Sequence, residues 1–98
     1  MATAKLVTII AESVLRDRLV RDLKELGASG FTEFHVRGEG SRGRRTVEFE
    51  GQNVQIESIV SPGVADSILE RISAAYFEHY AIVAYSSDVE VLRQEKYL

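Results

Sequence analysis

The sequence predicts an α+β fold, in which one four-stranded antiparallel sheet carries two helices on one face. A segment with a strand pattern is followed by one of helical periodicity, and then two further strand patterns are followed by a second helical segment and a last strand. This gives the order β-α-β-β-α-β. The 98 residues are 45% hydrophobic and 28% charged, which fits a single domain, 1–98, with a modest core. We therefore expect contacts between subunits to add to the stability of each chain.

The first strand and helix occupy the N-terminal part of the chain. Residues 5–11 form a β-branched run typical of a buried central strand. Ser13 is predicted to cap the following helix, and Gly27 is predicted to end it. Charged pairs on the outer face, among them Arg18 with Asp22, are predicted to be surface features. Four leucines at helical spacing form the apolar stripe: Leu15, Leu19, Leu23 and Leu26.

The next two strands are predicted to pair as a hairpin with a long connection. Residues 31–37 alternate between apolar and polar side chains, and a second alternating strand begins at Asn53. We expect the polar side chains of both strands to lie together on the face of the sheet that the helices leave open. These residues are Glu33, His35, Gln55 and Glu57.

The last helix and strand complete the pattern. Ser61 and Pro62 are predicted to be the N-cap and the first residue of the second helix. Residues 80–85 are predicted to form a last buried strand, and 88–98 a mixed tail with a short helix. Two β-α-β units with right-handed crossovers fold most simply into a ferredoxin-like sandwich. The apolar positions of the second helix are Val64, Ile68, Ile72 and Ala75.

The connection between the two middle strands concentrates glycine and arginine. It contains the segment Arg37-Gly38-Glu39-Gly40-Ser41-Arg42-Gly43-Arg44-Arg45, with four of the twelve basic residues of the chain. Glycines allow backbone N–H groups to turn toward a ligand, and guanidinium groups bind phosphate or carboxylate oxygens in pairs. The segment therefore predicts an anion-binding loop. An ordinary solvated connection is the alternative.

Composition and spacing exclude several classes of function. The absence of cysteine excludes disulfides and thiolate metal sites, and a net charge of −3 disfavours general nucleic-acid binding. His35 and His79 lack the spacing of a metal motif, and Ser41 lacks a nucleophile motif, so we predict no metal site and no catalytic residue. Without a membrane-spanning apolar run or a secretion signal, a cytoplasmic location is expected.

The segment Gly38-Glu39-Gly40-Ser41-Arg42-Gly43-Arg44-Arg45 stands at the start of the long connection. Together with Tyr76-Phe77, Tyr80 and Glu90-Val91-Leu92, it makes the chain resemble the PII-like signalling proteins. These are trimers of ferredoxin-like subunits that bind adenine nucleotides between subunits. The resemblance covers nearly the whole chain and is closest to the branch associated with carboxysomes and bicarbonate transporters. In this family the long connection, here about residues 38–52, is the T-loop.

The resemblance implies a homotrimer that binds an adenine nucleotide, namely ADP or AMP, with ATP and cyclic AMP as further candidates. The implied contacts to the phosphates come from Gly38, Gly40, Ser41, Arg42 and Arg45. The implied contacts to the adenine come from Ile82, Val83 and Tyr85.

Bicarbonate is implied as a second ligand, with Arg37 and Arg44 as its candidate residues. The implied partner is a bicarbonate transporter or a carboxysome-related protein, and a transporter would recruit the protein to the membrane periphery. No cofactor is implied. Because the T-loop has no tyrosine, regulation by uridylylation is not expected.

Other readings remain open at the level of sequence. Phe49 either anchors a protein partner or packs back on the sheet. An RNA-binding module of similar topology would use the arginines on phosphates, although the strands suggest no pair of aromatic residues on the open face. An enzyme or a metal-tolerance protein of the same trimeric fold is the third reading.

Overall fold

The computed structural model describes residues 2–38 and 52–97. Within these ranges the chain forms four strands, two long helices and short helical turns. The strands are β1 (Ala2–Glu12), β2 (Thr32–Val36), β3 (Asn53–Val60) and β4 (Val83–Val91). The helices are α1 (Arg16–Glu25, preceded by a 3-10 turn, Ser13–Leu15), α2 (Pro62–Tyr76) and the short α3 (Gln94–Tyr97).

The four strands form one antiparallel sheet in the order β2-β3-β1-β4. β1 lies in the centre, where Glu12 is opposite Asn53 of β3 and Ile10 is opposite Val83 of β4. At the same end of the sheet, Val36 of β2 is opposite Asn53. The predicted ferredoxin-like arrangement, including the hairpin of β2 and β3, is confirmed.

The core lies between the sheet and the two long helices. It takes Val7 and Ile9 from β1, the leucine stripe from α1, and Ile68, Ile72 and Tyr76 from α2. Burial of each large side chain of this kind contributes about 1.5 to 3 kcal/mol. The apolar stripes of both helices therefore have the role that their periodicity predicts.

Two of the three predicted helix boundaries are confirmed by their hydrogen bonds. Ser61 caps α2, because its Oγ accepts from the backbone N of Val64 at 3.3 Å. Gly27 follows α1 with φ +109°, and its N donates to the carbonyl oxygen of Lys24. The N of Ala28 then donates to the carbonyl oxygen of Leu23 at 2.9 Å, which completes a Schellman motif.

The predicted capping role of Ser13 is wrong. Ser13 lies inside the 3-10 turn, and its Oγ is buried without a hydrogen-bond partner among the described residues. Its backbone N instead donates to the carbonyl oxygen of Gln52 at 2.6 Å. Ser13 is therefore bonded to the residue that precedes β3, and α1 begins three residues later, at Arg16.

The predicted bounds of the last strand are also wrong. β4 runs from Val83 to Val91, so it begins three residues later than predicted and includes the first four residues of the predicted tail, 88–91. Among the described strands β4 is an edge strand that pairs with β1, and polar side chains are tolerated at such an edge. The predicted short helix near the C-terminus is confirmed as α3.

The prediction for the polar residues of the hairpin is half wrong. Glu33 is opposite Ile56, and His35 is opposite Val54, both of which are core residues on the helix-covered face. Alternation separates two faces of a strand without showing which one meets the helices. The pairing with β3 decides this, and Arg16 compensates the charge of Glu33 there.

The other face of the sheet, here called the open face, is largely apolar. α3 borders this face near Leu6 and Ile59. Lys96 and Tyr97 of α3 line a cavity of about 420 Å³ there, together with these sheet residues. Such an apolar face is a candidate for contact with another subunit. The register assigns to it Leu6, Thr8, Ile10, Thr32, Phe34, Val36, Gln55, Glu57, Ile59, Val83 and Tyr85.

Candidate functional site

The predicted phosphate and bicarbonate residues fall mostly outside the described ranges. Only Arg37 and Gly38 are described, and both are exposed directly after β2. A Cβ placed on Gly38 would meet no atom of the described residues within 4 Å. The residues beyond the described ranges are Gly40, Ser41, Arg42, Arg44, Arg45 and the candidate anchor Phe49.

The predicted adenine residues separate into two groups. Val83 and Tyr85 lie on the open face, opposite Ile10 and Thr8 of β1, and are 53% and 49% exposed. Ile82 is partly buried against the hydrophobic core. The side chains of Val83 and Tyr85 are therefore more accessible to a nucleotide than that of Ile82.

Polar groups that sequence reasoning did not assign to the site lie beside Tyr85. Thr8 is 2% exposed, and across β1 it has Tyr85 on one side and Glu57 on the other. The Nε2 of Gln55 donates to the Oε2 of Glu57 at 2.9 Å. A planar heterocycle can stack on an aromatic ring, and a carboxylate can accept from an exocyclic amino group. Glu57 could have been identified from the sequence, because polar and apolar residues alternate along β3 and place Glu57 on the same face as Gln55.

Gly38, the described member of the predicted phosphate residues, and the predicted adenine residues Val83 and Tyr85 lie at opposite edges of one sheet. Gly38 follows the edge strand β2, whereas Val83 and Tyr85 belong to the other edge strand, β4. Three strand spacings separate these edges, which is roughly 14 Å. Gly38 and Val83 are nevertheless near the same end of the sheet. Val36 and Glu12 are both opposite Asn53, and Ile10, two residues before Glu12, is opposite Val83. Within one subunit, Gly38 therefore lies away from Val83 and Tyr85.

The start of α1 holds the root of the T-loop. Arg16 donates through Nε and Nη2 to the Oε1 of Glu33, at 2.9 and 2.7 Å, and through Nη1 to Asp17. The bond to Glu33, followed by that to Asp17, raises the pKa of Arg16. Sequence reasoning did not identify Arg16. A cavity of about 370 Å³ opens here, lined by Ser13, Val14, Arg16, Asp17, Glu33, His35 and Val54.

Metal-binding clusters and membrane-spanning helices are absent from the described ranges. In residues 2–38 and 52–97, no group of three or more histidine, aspartate or glutamate side chains is placed to hold a metal ion. Nor does any helix in these ranges have the length and apolarity to cross a membrane.

Comparison with known proteins assigns the family. Residues 4–96 match the family model described as nitrogen regulatory protein P-II. The chain belongs to the P-II family. As a member it is a PII-like signalling protein, and a homotrimer is consistent with this membership.

Solved PII-like structures have the same fold over almost the whole length. A PII-like signalling protein from Thermus thermophilus is 55% identical, with 99% of this chain and 97% of that chain covered and a TM-score of 0.86. CPII from Thiomonas intermedia, bound to ADP, AMP and bicarbonate, is 24% identical, with 97% and 93% covered and a TM-score of 0.84. A complex of CPII with ADP, AMP and acetate is 23% identical, with 97% and 94% covered and a TM-score of 0.82.

Proposed function

We propose that this P-II family member binds an adenine nucleotide in clefts between the subunits of a homotrimer. The nucleotide is ADP or AMP, with ATP and cyclic AMP as further candidates. Each cleft combines the T-loop root of one subunit with β4 of the next. Gly38, Gly40, Ser41, Arg42 and Arg45 contact the phosphates, and Ile82, Val83 and Tyr85 contact the adenine.

The observation that carries this proposal is the separation of Gly38 from Val83 and Tyr85 across the sheet. Gly38 lies at the β2 edge, and Tyr85 lies at the β4 edge of the same subunit. This separation supports a nucleotide site between two copies of the chain, with Gly38 from one copy and Tyr85 from the next. The exposed apolar side chains Phe34 and Val83 on the open face support such an assembly, since their burial between copies is favourable.

The ligands of CPII support the choice of nucleotide and suggest a second ligand. CPII is bound to ADP and AMP in several of its structures, with bicarbonate in two of them and acetate in another, and a further structure contains ADP and bicarbonate. We assign this chain to the branch associated with carboxysomes and bicarbonate transporters, with Arg37 and Arg44 as the bicarbonate residues. Guanidinium groups suit such a planar anion because they donate two parallel hydrogen bonds.

The output of the proposed switch is the shape of the T-loop. Phosphate bound by Arg42 and Arg45 would order a glycine-rich segment, and the ordered segment would bind or release a protein partner. We propose that this partner acts in inorganic carbon uptake or fixation, and that the protein itself is cytoplasmic and not an enzyme. A transporter partner would bring it to the membrane periphery.

Isothermal titration calorimetry tests the proposal directly. The protein is titrated with ATP, ADP, AMP and cyclic AMP, each with and without bicarbonate. Binding of one nucleotide per subunit is expected, and a change of its affinity with bicarbonate would reveal linkage between the two ligands. Absence of binding by all four nucleotides would refute the nucleotide site and leave the family and fold unchanged.

RNA binding is a second candidate that one observation favours. Phe34 and Tyr85 are both exposed aromatic residues on the open face, at 43% and 49%, where the sequence predicted polar side chains. They are on opposite edge strands, however, and the net charge is −3. RNA binding whose affinity falls steeply with salt, together with no nucleotide binding, would favour this candidate.

A further inference from the structure

The start of α1 contacts elements toward both edges of the sheet. Arg16 and Arg18 are two residues apart, which is about 200° around a helix axis, so their side chains leave α1 in nearly opposite directions. Arg16 reaches β2, and Arg18 reaches the end of α2. The same short segment therefore contacts both the strand that enters the T-loop and the helix that precedes β4.

On the first side, two contacts fix both described ends of the T-loop. Arg16 binds the Oε1 of Glu33 through two nitrogens, and its guanidinium lies 5.4 Å from the centroid of the Phe31 ring. These contacts hold the strand that ends at Val36. The backbone N of Ser13 binds the carbonyl oxygen of Gln52 at 2.6 Å, where the chain returns from the loop. Displacement of residues 13–16 would therefore affect both ends.

On the second side, Arg18 packs against two tyrosines. Its guanidinium carbon lies 4.4 Å from the ring centroid of Tyr76 and 5.9 Å from that of Tyr80. The backbone N atoms of His79 and Tyr80 donate to the carbonyl oxygen of Tyr76, at 3.1 and 2.9 Å. This turn leads directly to Val83, the first residue of β4. Arg18 thus contacts the turn whose position sets the start of β4.

A further contact joins the body of α1 to α2. One turn after Arg18, the Oδ1 of Asp22 accepts from the Nη1 of Arg71 at 2.9 Å, and its Oδ2 accepts from the hydroxyl of Tyr76. Charge-assisted hydrogen bonds of this kind have a defined geometry. They allow a shift at the end of α2 to move the start of α1, because the two helices are joined at this level.

We propose that residues 13–18 form a coupling element, which links both ends of the T-loop to the turn 77–82 within one subunit. A ligand held at β4 can then alter the T-loop of the same subunit through packed side chains. This link is additional to any contact that a ligand makes across a subunit boundary. It rests on contacts within one chain and can be tested without a nucleotide.

Amide hydrogen exchange, measured by NMR on the ligand-free protein, tests the coupling element. The Ser13 amide reports on the T-loop end, because it binds Gln52, and the Tyr80 amide reports on the turn 77–82. The Ile9 amide, in the central strand β1, reports on global unfolding and serves as the reference. The variants are Arg18→Gln and Glu33→Gln, alone and combined, with Arg21→Gln on the exposed side of α1 as the matched control.

Each single variant is expected to accelerate exchange at both reporters by roughly two- to tenfold relative to Ile9. The double variant is expected to be non-additive, as for residues in one network. The proposal is overturned when each variant accelerates only its nearer reporter and the double variant is additive. If Arg18→Gln does not fold, Arg18→Lys replaces it, because lysine keeps the charge but loses the planar stacking group.

Discussion

The hydroxyl group of Tyr76 donates a hydrogen bond to the Oδ2 of Asp22 and so joins the last turn of α2 to the middle of α1. The side chain of Tyr76 is completely buried. Sequence reasoning interpreted Asp22 as a surface partner of Arg18. Instead, Asp22 is a partner of α2, and Arg18 stacks on the ring of Tyr76.

Tyr76→Phe removes this bond without changing the packing of the ring. We expect a loss of about 1.5 kcal/mol in the free energy of unfolding, the lower end for a hydrogen bond to a charged group, because Asp22 keeps Arg71 as a partner. Urea denaturation measures the change. Tyr80→Phe is the control, since the Tyr80 hydroxyl has no hydrogen-bond partner in the described part of the chain, and its loss should be smaller.

The same residue predicts a dependence of stability on alkaline pH. Burial, followed by the bond to Asp22, raises the pKa of Tyr76. The folded state therefore favours the protonated phenol, and this contribution is complete below the unfolded pKa of about 10 and is lost as pH rises above it. Between about pH 8 and pH 11 the wild type should lose more stability than Tyr76→Phe. Equal losses in both proteins would contradict this assignment.

Gly27→Ala should destabilise the protein through the backbone. Gly27 has φ +109°, which residues with a Cβ rarely adopt, and an added Cβ would lie 3.4 Å from the Cγ2 of Val64. We expect a loss of roughly 1 to 3 kcal/mol, measured by urea denaturation. Gly63→Ala is the control. Gly63 lies in the first turn of α2, where an added Cβ would meet no atom of the described residues within 4 Å, so this variant should be neutral or stabilising. Similar losses in both variants would argue against a backbone origin.

Phe34→Asp should dissociate the proposed trimer. Phe34 lies on the open face and is 43% exposed, so an aspartate there would be desolvated without a partner when copies assemble. Light scattering after size-exclusion chromatography should show the trimer for the wild type and species near the 10.9 kDa chain for the variant. Phe77→Asp is matched in residue type and exposure (48%) but follows α2, and it should remain trimeric. A trimeric Phe34→Asp would place the interface elsewhere.

Arg42→Ala and Arg45→Ala should each weaken nucleotide binding by roughly 1.5 to 3 kcal/mol, because each removes a charged contact to phosphate. Calorimetry with the nucleotide that binds the wild type best gives the affinities. Arg21→Ala, on the exposed side of α1, is the control for a general loss of positive charge. If both loop variants bind as tightly as this control, the loop is not part of the site.

The features that were predictable from sequence depend on chemistry within a few residues. Gly27 and Ser61 mark helix boundaries through their own backbone and side-chain bonds, and periodicity identified the buried stripes of both helices. The face of Glu33 was not predictable, because it depends on its pairing with Ile56 in another strand. The polar residues of β4 were interpreted as a tail because an edge strand lacks a strong apolar pattern.

The residues of the candidate site were likewise predictable only where the signal lies within a few residues. Val83 and Tyr85 share the open face because they are alternate residues of one strand, and their contact with adenine stays a prediction. The contribution of Arg16 depends on Glu33, seventeen positions later, and no local pattern indicates it. The roles of Arg42 and Arg45 stay predictions from resemblance.

The strand order β2-β3-β1-β4 gives each subunit two unlike edges, one beside Gly38 and the other formed by β4. In the proposed ring, each junction joins the T-loop root of one subunit to β4 of the next. A mutation at one edge of a subunit therefore disrupts one of its two junctions, and a mutation at the other edge disrupts the other junction. A chain defective at the T-loop root and a chain defective on β4 are then each inactive alone. Mixed into one ring, they restore a junction between the two intact edges, and genetic complementation between the two defects follows from the order of four strands.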